Sequence, residues 1–270
     1  MPQHYARERS VPVGFQANSI RELTAMSDPA SMRGYLIRGL PVIKEGDDIA
    51  SLVQSLFELQ DGDVLCLAST IVAKSAGRFR NLEDYTPSSR ASEIASTLAK
   101  DPRFVQAVLD ESAEVLLDRP FLLVVTRFGH ICVNAGIDQS NVGDGRILLL
   151  PEDPSASAAA LRVRLDKDCA VIITDSCGRP FRCGVAGLAI GWAGLAALKD
   201  WRGERDMHGK VLEITLEAIV DEIAGMANLL MGEAGEGTPA VVFRGLKYPC
   251  TGGSVFMPKN KDVIRPRLKS

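Results

Sequence analysis

The chain has 270 residues, of which 46% are hydrophobic and 24% charged. This is enough apolar material for one large domain or two intertwined small ones to fold without stabilising disulfides or metal ions. Its 31 basic and 34 acidic residues give a formal net charge of -3, so there is no strong positive field and a nucleic-acid partner is disfavoured. No apolar run approaches the roughly 18 to 20 residues that span a bilayer, and residues 1–30 lack an apolar signal core, so we expect a cytoplasmic protein with no membrane partner.

The chain begins with a segment that shows no periodicity. Residues 1–30 are polar and punctuated by Pro and Gly, and we predict that they form an N-terminal extension. A folded domain is predicted over residues 31–250. Residues 251–270 form a basic tail, more typical of a solvated end than of a phosphate contact. The six cysteines include no CxxC pair and lie mostly in apolar segments, which favours reduced core thiols.

Helices and strands are predicted from apolar periodicity, capping residues and turn residues. Asp48 and Asp153 precede apolar-periodic stretches as N-caps, and Asp101 precedes a proline at a first helical position. The elements mix without regular βαβ alternation, so the predicted fold class is α+β rather than doubly wound. In chain order they are a helix over 49–59, a strand over 64–68, helices over 88–99 and 102–117, a strand over 121–125 with 131–133 as its hairpin partner, a helix over 154–165, strands over 170–174 and 211–215, a long helix to about 230 and a strand over 240–243.

Several familiar catalytic motifs are absent from the sequence. There is no GxxxxGK[ST] loop and no GxGxxG between a strand and a helix, so neither a Walker loop nor a dinucleotide fingerprint is present. The three histidines stand in no HExxH or nucleophile-elbow setting, which leaves little support for a zinc site or a hydrolytic triad. The remaining candidates are polar, glycine-bearing segments between apolar runs, and such segments commonly carry binding or catalysis.

Two of these segments lie early in the folded sequence. Gly39 and Pro41 form a turn whose backbone groups can hold a purine edge, although such a turn is more often only a strand entry. Ser69, Thr70 and Lys74 follow a buried strand and suit a polyphosphate, because hydroxyls and an ammonium bind phosphate oxygens. Ordinary helix capping explains this second segment equally well.

Two more segments carry carboxylates. Residues 134–142 hold Asn, Asp, Gln, Ser and Asn in a stretch that leaves no face for burial, more polar residues than a turn requires. In residues 174–182, Asp175 is predicted to end a buried strand beside Ser176 and two arginines, a combination that suits Mg²⁺ or Mn²⁺ with phosphate. A structural ion pair between Asp175 and an arginine is an equal alternative.

A fifth segment, residues 231–239, ends the predicted long helix. Its glycines free the backbone and Glu233 adds an oxygen ligand, although alone the segment is typical of a helix C-cap with a glycine-rich turn. Together, Asp138, Asp175 and Glu233 supply three hard ligands without a soft or imidazole partner. That pattern is typical of Mg²⁺ or Mn²⁺ rather than zinc.

Six stretches in this order resemble the coenzyme F420-0:L-glutamate ligase family: GLPVIKEGDDIA, DGDVLCLASTIVAKSAGR, NAGIDQSNV, LLPEDPSASAAALR, VIITDSCGRPFR and MGEAGEGTPAVVFRG. They cover residues 39 to 245, nearly the whole chain apart from its two ends. The resemblance implies a GTP-dependent ligase of two intertwined α+β domains that acts as a homodimer. The small molecules it implies are GTP, L-glutamate and coenzyme F420-0, with two Mg²⁺ or Mn²⁺ ions and K⁺ as a further candidate ion.

The resemblance also implies roles for single residues. Asp138 and Asp175 would hold one metal ion, while Ser176 and Glu233 would serve the second. With Lys74, the two aspartates are the predicted catalytic residues. The predicted contacts to GTP are Leu40, Pro41, Val42, Ile43, Ser69, Thr70, Lys74, Asn141, Met231, Gly232, Glu233, Ala234, Gly235, Glu236, Gly237 and Thr238.

The implied reaction moves the γ-phosphoryl group of GTP onto a carboxylate, and the amino group of glutamate then displaces phosphate from the acyl phosphate. Metal ions and Lys74 would neutralise the charge that gathers on the transferring group. Arg179 and Arg182 are predicted to grip the acidic substrates, with a salt-bridge role left open.

The sequence departs from the family pattern at several positions. The family usually continues after GRPFR with a Gly-Gln-Thr type stretch, whereas this chain has CGVAG at 183–187; Ser176 stands where Thr is usual and Glu233 where Gln is common. A paralogous ligase with the same GTP chemistry and a different carboxylate acceptor is therefore one alternative, and a non-catalytic nucleotide-binding protein is another.

Overall fold

A computed structural model describes the chain over residues 31–139, 145–248 and 252–268. Helices and strands mix along the chain as an α+β fold, which confirms the predicted class. Within those ranges no helix combines the length and apolarity needed to cross a membrane. The helices are α1 (Ile49–Leu56), α2 (Ser69–Ser75), α3 (Ser89–Leu98), α4 (Pro102–Asp110), α5 (Pro154–Arg162) and α6 (Ile219–Met231), with short 3₁₀ helices at Leu82–Asp84, Asn134–Gly136 and Arg265–Arg267. The strands are β1 (Arg33–Leu36), β2 (Val64–Ala68), β3 (Phe79–Asn81), β4 (Ser112–Leu117), β5 (Leu123–Thr126), β6 (Ile131–Val133), β7 (Arg146–Leu148), β8 (Ala170–Gly178), β9 (Val185–Ala193), β10 (Lys199–Asp200), β11 (Leu216–Glu217) and β12 (Ala240–Arg244).

The largest sheet has five strands in the order β1-β12-β2-β8-β9. β2 and β8 run parallel, with Val64 opposite Ala170 and Ala68 opposite Thr174. The other neighbouring pairs of this sheet are antiparallel. As a result, the carboxyl ends of β1, β2 and β8 and the amino ends of β12 and β9 lie along one edge, which we call the upper edge.

Helices cover both faces of this sheet. Because side chains alternate between faces along a strand, Leu65 and Leu67 pack in the core that includes α1 and α5, while Val64 and Cys66 pack in the core that includes α6. All four side chains are completely buried. Burial stabilises the fold by about 1.5 to 3 kcal/mol for each such valine or leucine, and burial on two faces explains the unbroken apolar run of β2.

A third core lies among α3, α4 and two small sheets. β4, β5 and β6 form an antiparallel sheet, and β3 pairs with β7. Phe104, Val108, Leu122, Val124 and Ile147 pack together there. β6 leads directly into residues 134–138 and contacts β8, so this core supports one wall of the upper edge. The predicted division of residues 31–250 into two interleaved subdomains stays a prediction.

Most predicted elements are present, several with different ends. β2 and the β5–β6 hairpin are confirmed, and the side chains of Asp48, Asp101 and Asp153 cap α1, α4 and α5 as expected. The helix predicted over 102–117 is wrong in its second half, because α4 ends at Asp110 and Ser112–Leu117 forms β4. Pairing with β5 overrides the helical periodicity there.

Three further differences concern two of the polar segments and one predicted strand. The segment that begins at Ser69 forms helix α2, and neither Ser69 nor Thr70 is its N-cap, since that position is Ala68. The strand predicted over 170–174 continues to Gly178 because β9 pairs with it along this length, so Asp175 and Ser176 lie within β8 instead of at its end. The strand predicted over 211–215 is also wrong, and the nearest strand is β11.

Candidate functional site

Strand register brings several polar segments together at the upper edge. Since Ala68 lies opposite Thr174 in the parallel pair, the next residues, Ser69 and Asp175, are neighbours. The Ser69 hydroxyl donates to Asp175 Oδ1 at 2.7 Å. The Ala68 amide donates to the Pro239 carbonyl at 2.9 Å, which adds the segment before β12. Ligands of open sheets with parallel strands commonly bind beyond the carboxyl ends of those strands.

A cleft of about 890 Å³ opens at this edge and has members of all five polar segments in its walls. Its volume falls within the range of roughly 300 to 1,000 Å³ that is usual for small-molecule sites. The predicted site residues that line it are Leu40, Pro41, Val42, Ile43, Ser69, Thr70, Lys74, Asp138, Asp175, Ser176, Met231, Gly232, Glu233, Ala234, Gly235, Glu236, Gly237 and Thr238. Asn141 lies outside the described residues.

The carboxylate of Asp175 is influenced by burial and by two neighbouring carboxylates in this cleft. The pKa of Asp175 is raised from 3.8 to about 6, chiefly because burial penalises the ionised form. Hydrogen bonds from the Ser69 hydroxyl and the Ser176 amide act in the opposite direction, and the charges of Asp138 and Glu233 raise the pKa further. Like charges held together in this way favour a bound cation, because a cation removes their mutual repulsion.

A triangle of hydrogen bonds joins β8 to the end of α6. Ser176 Oγ lies 3.0 Å from Asn228 Oδ1, and 2.9 and 3.0 Å from the two carboxylate oxygens of Glu233. Asn228 Nδ2 donates to Glu233 Oε1 at 2.7 Å. Asn228 lines the cleft, and sequence reasoning missed it because a single Asn inside a helical pattern carries no signal of its own.

Gly187 permits the close approach of β9 to α6 beside this triangle. A Cβ atom at position 187 would lie 2.5 Å from Asn228 Cβ and 2.6 Å from the carbonyl oxygen of Ala224. No side chain fits in that space without movement of the helix. Gly187, one of the residues at which this chain departs from the family pattern, is therefore required for the packing of β9 against α6.

Residues 134–136 have an unusual backbone conformation. Asn134, Ala135 and Gly136 follow one another in the left-handed region, with φ of 54°, 55° and 66°. Conformations of this kind cost energy in residues other than glycine and cluster at functional sites. Asn134 lines the cleft, and its Oδ1 atom is buried with no hydrogen-bond partner among the described residues. A buried oxygen without a donor costs about 1 to 3 kcal/mol, so Asn134, which the sequence placed in a polar segment without a role of its own, is a candidate ligand contact.

The loop over residues 231–239 closes on itself at the end of α6. Gly232 and Gly237 adopt φ of 78° and 66°, a region that favours glycine. The Ala234 amide donates to the Glu236 carboxylate at 2.9 Å, and the Thr238 hydroxyl donates to a main-chain carbonyl at 3.2 Å. These contacts fix the loop as a wall of the cleft.

The two arginines predicted to bind acidic substrates lie further out, in the turn between β8 and β9. Neither Arg179 nor Arg182 belongs to the cleft lining. Arg182 is exposed, while Arg179 is half-buried and its Nε atom is buried with no hydrogen-bond partner among the described residues. Phe181 between them is fully exposed with φ of 63°. The predicted role of these arginines stays a prediction.

The oxygen atoms in the cleft suit a hard cation that takes some of its ligands from the protein and the others from a second bound molecule. Across the described residues, no group of three or more His, Cys, Asp or Glu side chains is arranged to hold a metal ion. The cleft offers carboxylate and hydroxyl oxygens from Asp138, Asp175, Ser176 and Glu233. Mg²⁺ commonly binds through one or two carboxylates and takes its other ligands from water and substrate phosphates. The residues therefore fit a cation that arrives with a phosphate-bearing ligand.

Comparison with known proteins gives one consistent result. The model of the F420-0:gamma-glutamyl ligase family matches residues 39–245. Curated relatives named coenzyme F420:L-glutamate ligase include one from Archaeoglobus fulgidus, 54% identical over 241 residues, with 87% of this chain and 97% of the relative covered. The relative from Haloarcula marismortui is 50% identical over 250 residues, covering 88% and 97%. The relative from Methanosarcina mazei is 48% identical over 241 residues, covering 86% and 95%.

Proposed function

The chain belongs to the F420-0:gamma-glutamyl ligase family, and from that membership we propose that it adds L-glutamate to the carboxylate of coenzyme F420-0 in a GTP-dependent reaction. The observation that carries this proposal is the meeting of five separate polar segments in one cleft at the upper edge of the sheet. That cleft presents carboxylates, hydroxyls and an ammonium, which are the groups that a nucleoside triphosphate with its divalent cation requires.

The chemistry that we propose follows from the weakness of a carboxylate as an acyl donor. A carboxylate oxygen of the acceptor attacks the γ-phosphorus of GTP, GDP leaves, and the acceptor becomes an acyl phosphate. The amine of glutamate then attacks the acyl carbon, phosphate leaves with the C–O bonding electrons, and the amine loses a proton. The new amide requires no covalent intermediate with a protein side chain.

We assign the phosphate-binding role to α2 and its surroundings. Ser69 and Thr70 stand in the first turn of α2 and Lys74 in its last turn, and all three line the cleft. The ammonium of Lys74 would neutralise phosphate charge and the Thr70 hydroxyl would donate to a phosphate oxygen, while Ser69 directs its one proton to Asp175 Oδ1. The walls formed by residues 40–43 and 231–238 would enclose the remainder of the nucleotide.

We assign the cation-binding role to two pairs of oxygen donors. Asp138 and Asp175 would hold one Mg²⁺ or Mn²⁺ ion, and Ser176 and Glu233 a second. When bound, such ions stabilise the charge that develops during phosphoryl transfer. The raised pKa of Asp175 supports this assignment, because a half-buried carboxylate among other carboxylates gains most from a cation. K⁺ remains a further candidate ion, and homodimer assembly and a cytoplasmic location remain predictions.

Mass spectrometry of the reaction products tests the proposal. Purified protein, GTP, Mn²⁺, L-glutamate and coenzyme F420-0 should give an acceptor heavier by one glutamyl residue, or by several, together with one GDP for each amide. Parallel reactions with ATP in place of GTP and with Asp175→Asn should give little product. GDP without a gain in acceptor mass would point to the paralogue with another carboxylate, while an unchanged GTP pool and an unchanged acceptor would overturn the proposal.

A further inference from the structure

The amide of Asn228 lies between two groups that we assign to cation binding, and its chemistry fixes which way it points. A carboxylate only accepts hydrogen bonds, so the atom of Asn228 that lies 2.7 Å from Glu233 Oε1 must be the nitrogen. Its other end, Oδ1, then faces the Ser176 hydroxyl at 3.0 Å. One amide therefore contacts a ligand candidate on β8 and another beyond α6.

The Ser176 hydroxyl has a single proton to place among three acceptors. Its Oγ atom lies within 3.0 Å of Asn228 Oδ1 and of both oxygens of Glu233. A hydroxyl that binds a cation uses an oxygen lone pair and must direct its proton elsewhere. A carboxylate that serves the same cation is a poor acceptor for that proton, which leaves Asn228 Oδ1 as the acceptor that stays available.

The backbone of the same residue holds the start of the loop that carries Glu233. The Gly232 amide donates to the Asn228 carbonyl at 3.0 Å and closes the last turn of α6. The Asn228 side chain then binds the carboxylate that follows immediately in the chain. Gly187 makes this arrangement possible, since a Cβ there would lie 2.5 Å from Asn228 Cβ.

We propose that Asn228 is a positioning residue that orients both Ser176 and Glu233 toward a divalent cation bound with the nucleotide. The proposal rests on the proposed function. Asn228 accepts the proton of Ser176 and donates to Oε1 of Glu233, so that a lone pair of Ser176 and Oε2 of Glu233 remain for the cation. Outer groups of this kind typically change metal affinity by about 10- to 100-fold when they are removed.

The test is a titration of the full-length protein with Mn²⁺ in the presence of a non-hydrolysable GTP analogue, with free Mn²⁺ followed by electron paramagnetic resonance. Asn228→Ala should weaken Mn²⁺ binding about tenfold. Asn228→Leu keeps a side chain of similar size without its polar atoms and should show the same loss, which separates hydrogen bonding from packing. Leu229→Ala is the matched control, because Leu229 is the next residue of the same helix and is 83% exposed.

A double-substitution cycle shows whether Asn228 acts through Glu233. Glu233→Gln should weaken Mn²⁺ binding, and Asn228→Ala added to it should cause a smaller loss than Asn228→Ala causes alone, because only the contact to Ser176 is then left to lose and coupled residues are not additive. Wild-type affinity in both Asn228 variants, or losses that multiply in full, would overturn the inference. If the wild-type protein binds Mn²⁺ with the analogue but makes no glutamylated product, the proposed function fails and the inference on Asn228 stands; if it binds no Mn²⁺, both fail.

Discussion

Replacing Asp175 by asparagine should stabilise the ligand-free protein at neutral pH while it removes the capacity to hold a cation. Burial raises the pKa of Asp175 from 3.8 to about 6. A raised pKa in the folded state means that the folded protein binds this proton more tightly than the unfolded chain does, so ionisation destabilises the fold. A difference of about two pKa units corresponds to about 3 kcal/mol.

The sign and the pH window follow from the two pKa values. Below about pH 4 the carboxyl is protonated in both states, and it then resembles the neutral asparagine amide. Between about pH 4 and 6 the carboxyl of the unfolded chain ionises while that of the folded protein stays protonated, so the wild-type fold loses stability as the pH rises. Above about pH 6 the carboxyl is ionised in both states, and the whole destabilisation is present. The stability advantage of Asp175→Asn should therefore be close to zero at pH 4 and rise to about 3 kcal/mol at pH 8.

Urea unfolding of the ligand-free protein between pH 4 and 8 measures this difference directly. Asp84→Asn, at an exposed position outside the cleft, is the matched control for the loss of one carboxylate. Ser69→Ala should enlarge the effect in the wild-type background, because it removes the hydroxyl that stabilises the ionised form at 2.7 Å. A wild-type protein that equals or exceeds Asp175→Asn in stability at pH 8 would refute the reasoning.

Three further outcomes are expected. Lys74→Met should weaken binding of a GTP analogue by about 10- to 100-fold in calorimetry, because a charged hydrogen-bond donor contributes roughly 1.5 to 3 kcal/mol, and unchanged affinity would remove Lys74 from the phosphate site. Gly187→Ala should destabilise the fold by about 1 to 3 kcal/mol in urea unfolding, since its Cβ would lie 2.6 Å from the backbone of α6, whereas Gly178→Ala has open space and should be nearly neutral. Asp63→Ala should lower the free energy of unfolding by about 3 kcal/mol, because it breaks the paired contacts of 2.8 and 2.7 Å from Arg244 to a buried carboxylate. A loss below about 1 kcal/mol would contradict this account.

The parts of the fold that the sequence predicted are those where local signals and tertiary packing agree. β2 is an apolar run between turn residues, and Asp48 and Asp153 cap their helices by side-chain hydrogen bonds to backbone amides. β9 was missed because Val185–Ala193 is rich in glycine and alanine, residues of low strand propensity. Backbone pairing with β8 stabilises this strand in spite of its composition.

The candidate site was predictable in its polar segments and not in the residues that organise them. Asp138 and Glu233 stand out because they lie in polar, glycine-bearing segments, and Asp175 stands out because it follows an apolar strand; the structure places all three on one cleft. Asn228 carries no comparable signal because it lies within a helix. Asn134 belongs to a polar segment, but its individual role depends on a left-handed backbone that asparagine only weakly indicates. Their contribution depends on contacts between residues far apart in the sequence.

Anomalous scattering from crystals of the full-length protein, grown with Mn²⁺ and a non-hydrolysable GTP analogue, tests the central claim most directly. We predict Mn²⁺ peaks in the cleft, one bound by carboxylate oxygens of Asp138 and Asp175 and a second by Ser176 and Glu233, with both ions bound to nucleotide phosphates. Ordered nucleotide elsewhere on the molecule, or nucleotide in the cleft without an anomalous peak beside these side chains, would contradict the account.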